Sequence, residues 1–179
     1  MAPATIRELA RSELPRLWSI DRSEVILRLY RYEGGVLVGY DEHHDVKGWP
    51  PDELERDGLL LLDCFQRGGT VYGAFEGDVL VGAAALESRF IGRARDRLQL
   101  KFLHVSRRHR RSGVGRALFE TAVTRARQLG ARCLYVSATP SENTVRFYLR
   151  RGCRLARELD PDLWALEPQD IHLELEIRG

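Results

Sequence analysis

"RRHRRSGVGRALFE", residues 107–120, packs four arginines and a histidine into five positions and then passes Gly113 and Gly115 into helical spacing. Three readings are open to such a stretch: a basic patch for nucleic acid, a charged turn capping a surface helix, or a cradle for one anion. The first turn of a helix exposes unpaired N–H groups and the positive end of its dipole. Glycines at 113 and 115 allow positive φ and close approach of a ligand to the backbone. Together these features suit a phosphate or pyrophosphate, with the arginines adding bidentate donors. The spacing is not a P-loop, because no Gly-Lys-Ser/Thr follows, and Arg116 to Leu118 supply no third glycine for a dinucleotide fingerprint.

Working outward, residues 97–106 (RLQLKFLHVS) read as a strand leading into the loop. The helix that follows carries Val114, Ala117, Leu118, Thr121, Ala122 and Leu129 on one face and stops at Gly130. Residues 132–138 (RCLYVSA) form an apolar run suited to a strand buried on both faces. Residues 141–152 (SENTVRFYLRRG) read as a short helix capped at Ser141, with Gly152 past its end. Upstream, TVYGAF and VLVGAAALESRF pair as a hairpin across EGD. Further upstream come a first strand (ATIREL), a helix capped at Ser12, a hairpin turning at Glu33-Gly34-Gly35, and a helix after Pro50-Pro51. In that last helix Asp52, Glu53 and Glu55 suit the first turn, and Leu54, Leu61, Leu62 and Phe65 form the apolar stripe. The strands CRLARE and IHLELEI close the chain. The expected fold is α/β (α+β), one domain over residues 1–179, with a mixed central sheet and helices on both faces.

The chain has 179 residues, 44% of them apolar and 30% charged, as a soluble globular protein has, and a net charge of only +2. The arginine cluster is therefore local, and its segment has no interleaved aromatics for base stacking, which argues against nucleic acid. All 28 basic residues except Lys47 and Lys101 are arginine. Cys64, Cys133 and Cys153 lie far apart without CxxC spacing and read as free thiols in a reducing compartment. The N-terminus lacks a signal-like apolar core and no stretch approaches the ~20 apolar residues of a membrane span, so a cytoplasmic protein with no membrane partner is expected. His43 and His44 in "DEHHD" are adjacent and cannot chelate as an i, i+4 pair would; that segment reads as a solvated loop, and no metal is expected.

The loop resembles the acyl-CoA-binding motif of the GCN5-related N-acetyltransferase (GNAT) family, Gln/Arg-x-x-Gly-x-Gly/Ala, with Arg110, Gly113 and Gly115 in the motif positions. Residues 141–153 resemble that family's second motif, a helix bearing FYxxxGF, with Cys153 in place of the usual Phe. The resemblance covers residues 70–157 best. It implies that the backbone from Arg110 through Arg111, Ser112, Gly113, Val114, Gly115 and Arg116 holds the pyrophosphate of acetyl-CoA. It also implies that Leu103, His104 and Val105 pair with the pantetheine arm and that Tyr148 faces the thioester sulfur. The family's common Asn position falls on Ser141, and Asn143 lies two residues later, so both are candidates for cofactor contact. The region of about residues 22–50 falls where the family varies to shape the acceptor pocket; Tyr30, Tyr32, Tyr40 and Trp49 there either line the pocket or pack it shut.

An alkyl amine with a pKa near 10.4 is neutral in only about one molecule in 2,500 at pH 7, so acetyl transfer to it profits from a base. Glu87, ending a central strand, and His104, on the cofactor strand, are the candidates, and each has a structural reading as well. A backbone N–H near Leu103–Val105 suits the developing oxyanion. Tyr148 would hydrogen-bond or protonate the thiolate, or else serve as a packing aromatic beside Phe147. The implied function is acetyl-CoA-dependent N-acetylation of a primary amine, on a small molecule rather than a protein, by a monomer or homodimer. A non-catalytic acyl-CoA-binding regulatory module is the alternative.

Overall fold

The hairpin and strand read over residues 70–106 become the centre of a seven-stranded sheet, in a computed structural model that describes residues 4–177 apart from the side chains of residues 52 and 53. Its strands are β1 (Thr5–Glu8), β4 (Thr70–Glu76), β5 (Val79–Ile91), β6 (Arg97–Val105), β7 (Cys133–Ala138), β8 (Arg154–Leu155) and β9 (Ile171–Glu176), in the order β1-β4-β5-β6-β7-β9-β8. Every neighbouring pair is antiparallel except β6 and β7. Strands β2 (Glu24–Glu33) and β3 (Val36–Val46) form a separate hairpin.

Helices cover both faces. Helix α2 (Val114–Gln128) and α3 (Glu142–Leu149) bury Val114, Leu118, Phe119, Ala122, Ala126, Val145 and Tyr148 against Leu98, Leu100, Leu134 and Val136. The other face receives Leu14 and Leu17 from a 3₁₀ helix (Arg11–Ser19) and Leu61 from α1 (Pro51–Gln66), packed on Val71, Ala83, Ala85 and Phe102. Leu98, Leu118 and Leu134 are fully buried, and each such side chain contributes about 1.5–3 kcal/mol of transfer free energy.

Several expectations need correction. The segment after β1 is a 3₁₀ helix with no cap at Ser12; Pro15 lies inside it, and the Ala10 N–H donates to the Glu13 carboxylate at 3.0 Å. The DEHHD segment is not a loop but the second half of β3, exposed along the hairpin edge. Leu129 is exposed, whereas Phe119 and Ala126 complete the buried stripe of α2. A helix not expected from the sequence, α4 (Pro161–Leu166), is capped by the Asp160 carboxylate, which accepts from the N–H groups of Asp162 and Leu163. The side chains of Asp52 and Glu53 lie outside the described residues.

Candidate active site

Strands β6 and β7 run side by side only through Arg97↔Cys133, Leu98↔Leu134 and Gln99↔Tyr135. Beyond that register β6 continues to Val105 paired only with β5, and β7 continues to Ala138 paired only with β9. The parting begins at a β-bulge: Ala85↔Phe102 is followed by Leu86↔Leu100, so Lys101 has no opposite residue. On the β7 side this leaves the main-chain groups of Leu103 and the N–H of Val105 without a strand partner, while the His104 main chain turns to Ala83 of β5 and Val105 O accepts from Arg110. An extended ligand can add to such an edge as a strand would.

The arginine–glycine loop closes one end of this cleft. Ser106 N–H donates to Val81 O at 2.8 Å and Arg107 N–H to Asp21 O at 2.9 Å, fixing the loop to β5 and to the start of the hairpin segment. Arg111 (φ +65°) and Gly113 (φ +94°) are both left-handed. For an arginine that conformation is uncommon and costs free energy; left-handed residues just ahead of a helix are the backbone pattern that can gather successive N–H groups into a concave nest. At Gly113 a Cβ would meet nothing within 4 Å, so the nest opens to the outside. Gly115 is closely packed: a Cβ there would lie 3.2 Å from Phe147 Cε2 and 3.5 Å from Val105 Cγ2. The N-terminus of α2 thus sits against both the end of β6 and α3, which brings the two sequence motifs together.

The arginines divide by environment. Arg110 is held by the protein itself: Nε donates to Val105 O at 3.1 Å, one terminal nitrogen to Arg22 O at 3.2 Å, and the other lies 3.2 Å from the Glu24 carboxylate. Its side chain organises the loop. Arg108 and Arg111 are exposed without a protein partner among the described residues, while Arg116 pairs with Glu120 at 2.7 Å. The Ser112 hydroxyl donates to His109 O at 2.5 Å, and the His109 ring lies 2.9 Å from the Glu76 carboxylate. Ser141 is buried and caps α3, accepting from Thr144 N at 3.3 Å, whereas Asn143 is exposed and donates to Glu24 at 2.8 Å.

Tyr148 is buried between Phe147 and Phe119, at ring separations of 5.1 and 5.9 Å, and burial pushes its phenol above the usual value. His104 lies against Trp49 and Phe102, with ring separations of 4.9 and 4.6 Å. Burial, together with Arg22 and Arg110, lowers its pKa to about 3, so the ring is neutral and a weak proton acceptor at physiological pH. Glu87 accepts from Arg67 at 2.7 Å and from Ser88 N–H at 3.0 Å. It lies four residues along β5 from Ala83, the partner of His104, and faces the end of α1; the two base candidates are not brought together.

Among the hairpin aromatics, Trp49 is packed in, its indole N–H donating to Ile20 O at 2.8 Å. Tyr30 lies half-buried against the α2–α3 core, Tyr32 is exposed, and Tyr40 lies under Arg31. Four polar residues with no motif to announce them cluster beside the cleft: Tyr135, Ser137, Asp170 and His172. No group of three or more His, Cys, Asp or Glu among the described residues is placed to hold a metal, and no described helix is long and apolar enough to cross a membrane.

A family model described as the acetyltransferase (GNAT) family matches residues 39–153. Comparison with curated proteins finds no match. Among solved structures, nourseothricin acetyltransferase is 20% identical with a TM-score of 0.74, over 99% of this chain and 100% of that one. The ribosomal-protein-S18-alanine N-acetyltransferase of Escherichia coli is 15% identical with a TM-score of 0.63, over 98% and 95%. N-acetylglutamate synthase of Neisseria gonorrhoeae, complexed with coenzyme A and N-acetyl-glutamate, is 18% identical with a TM-score of 0.63, over all of this chain and 36% of that one. At these identities the likeness is one of fold.

Proposed function

Because the chain belongs to the GNAT acetyltransferase family, we propose that it transfers the acetyl group of acetyl-CoA to a primary amine of a small molecule. The observation that carries this is the parting of β6 from β7 directly beside an open N–H nest at the start of α2. A nest and helix dipole suit the pyrophosphate, and the free β6 edge at Leu103 and Val105, on either side of His104, suits the amide-bearing arm. Arg111, Ser112, Gly113, Val114, Gly115 and Arg116 would hold the anion mainly through main-chain N–H groups. Arg110 would hold the loop in shape. Asn143, exposed near the same loop through Glu24, is better placed than the capping Ser141 to reach the cofactor.

Tyr148 would stabilise the leaving thiolate. Its raised pKa keeps the phenol protonated throughout the working range, so it donates a hydrogen bond rather than arriving as a phenolate. A main-chain N–H of β6 would receive the oxyanion. The likeness to nourseothricin acetyltransferase makes nourseothricin the first acceptor to try.

Thermal denaturation with and without acetyl-CoA tests the cofactor site. Ligand at about 100 Kd should add roughly 2.7 kcal/mol, or about 5–10 °C, to wild type. Gly113→Glu, which puts a carboxylate into the open nest, should abolish that shift. A folded wild type with no shift at any accessible concentration overturns the assignment. A shift without acetylation of any amine would instead favour the binding module.

A further inference from the structure

Asp170 lies immediately before the last β7–β9 pair, Ala138↔Ile171, on the side of β7 that has left β6. Its carboxylate accepts from the Ser137 hydroxyl at 3.0 Å, and Ser137 is two residues beyond the final β6–β7 pair. Its charge is the weakest of those that act on the Tyr148 phenol, after burial, Cys153 and Arg151. Asp170 therefore stands within electrostatic reach of the phenol assigned to the thiolate. Neither Glu87, paired with Arg67, nor His104 has that placement.

Beside it, His172 is 5% exposed, and its Nε2 has no hydrogen-bond partner among the described residues. The Tyr135 hydroxyl accepts from the Asp160 N–H at 3.1 Å and lies 2.8 Å from His172 Nδ1, to which it can donate. A neutral ring bonded in this way carries its proton on Nε2. The result is an unsatisfied donor that shares Glu167 as an electrostatic neighbour with Asp170. An acceptor of protons and a buried donor side by side form a site for a ligand that carries both an ammonium and an oxygen acceptor.

We propose that Asp170, positioned by Ser137, takes the proton from the acceptor amine, and that His172 Nε2–H holds an oxygen of the same acceptor. This rests on the acetyltransferase function proposed above. An ammonium gives one proton to Asp170 and on to solvent. The freed lone pair forms the C–N bond to the acetyl carbonyl while the C–S bond breaks and its electron pair leaves on sulfur. The nitrogen's second proton replaces the one that Tyr148 supplies to the thiolate, giving amide and free thiol.

The charged and titratable groups facing Asp170 are Glu167 from the turn before β9, Arg56 from α1 and Tyr148 from α3. Burial, then the charge of Glu167 and a hydrogen bond shared with it, hold the Asp170 carboxyl well above the usual carboxylate range, and Ser137 and Arg56 oppose them only in part. A base must be ionised, so kcat/KM should fall on the acid side with a midpoint well above that of an ordinary carboxylate.

The test is the pH profile of thiol release from acetyl-CoA with nourseothricin and, separately, spermidine as acceptors, alongside calorimetric acetyl-CoA binding. Asp170→Asn should lose about 100-fold or more in kcat and lack the acid limb, with acetyl-CoA affinity unchanged. Asp170→Glu should recover part of the rate, and Ser137→Ala should shift the limb. His172→Phe should raise the KM of nourseothricin, with kcat and the limb retained. Asp170→Asn with wild-type rate and profile overturns the proposal and leaves the acetyltransferase standing. A wild type that binds acetyl-CoA but acetylates neither amine removes the step assigned to Asp170. A wild type that does not bind acetyl-CoA removes the function itself.

Discussion

The Glu24 carboxylate lies 3.2 Å from the Arg110 guanidinium, joining strand β2 of the hairpin to the loop that opens α2. Its other oxygen accepts from Asn143 of α3 at 2.8 Å, so one side chain links the hairpin to both motifs. The hairpin is further fixed where Tyr30 N–H donates to Pro140 O at 2.8 Å.

Glu24→Ala should remove a negative charge from beside the loop proposed to hold the pyrophosphate. Acetyl-CoA is expected to bind a few-fold more tightly at low salt, with the gain shrinking as salt screens the field. Titration calorimetry at two ionic strengths reads both effects, and weaker binding at every ionic strength would show instead that Glu24 acts by holding Arg110 in place.

Arg67→Met should destabilise the protein by about 1–3 kcal/mol, because Glu87 is 4% exposed and would lose its charged partner while Arg67 itself is partly in water. A fall of roughly 2–12 °C in Tm checks this. Glu87→Gln should leave the pH–rate profile unchanged once the protein is folded; a lost acid limb in that variant would return the base to Glu87.

Tyr148→Phe removes one hydroxyl from a packed ring cluster. It should cost about 10–100-fold in kcat, leave acetyl-CoA affinity unaltered and barely change Tm. The raised phenol pKa predicts no loss of rate through Tyr148 ionisation as pH climbs to 10, which steady-state kinetics on the alkaline side will read.

His104 makes stability acid-sensitive. The unfolded histidine takes up a proton near pH 6.5, and the folded ring only near pH 3. The contribution is therefore full above about pH 6.5 and drains as pH falls from there toward 3. Going from pH 7 to 5 should cost at most about 2 kcal/mol through this residue. Denaturant melts at the two pH values should show a smaller difference in His104→Gln than in wild type; equal differences would mean the ring is not shielded from protonation.

Local features carried a good deal of the fold. The positive φ at Gly113, Gly130 and Gly152, the Ser141 cap and the strand–helix order around the two motifs follow from residue chemistry that acts over a few positions. The Asp160-Pro161 start of α4 was also written in the sequence, as a cap followed by proline, though six residues are too few for periodicity to show. DEHHD misled because a two-stranded ribbon exposed along its length leaves no apolar alternation in β3.

The sequence alone determined the strands and helices around the two motifs, since propensity, capping and glycine conformations are local, but not the strand at DEHHD or helix α4. Tertiary structure alone decided that β6 and β7 part after Gln99, that Glu24 reaches Arg110 and Asn143, and that Asp170 reaches Ser137. Those contacts join residues 33 to 119 positions apart through sheet register and helix packing, and no spacing in a linear chain encodes them.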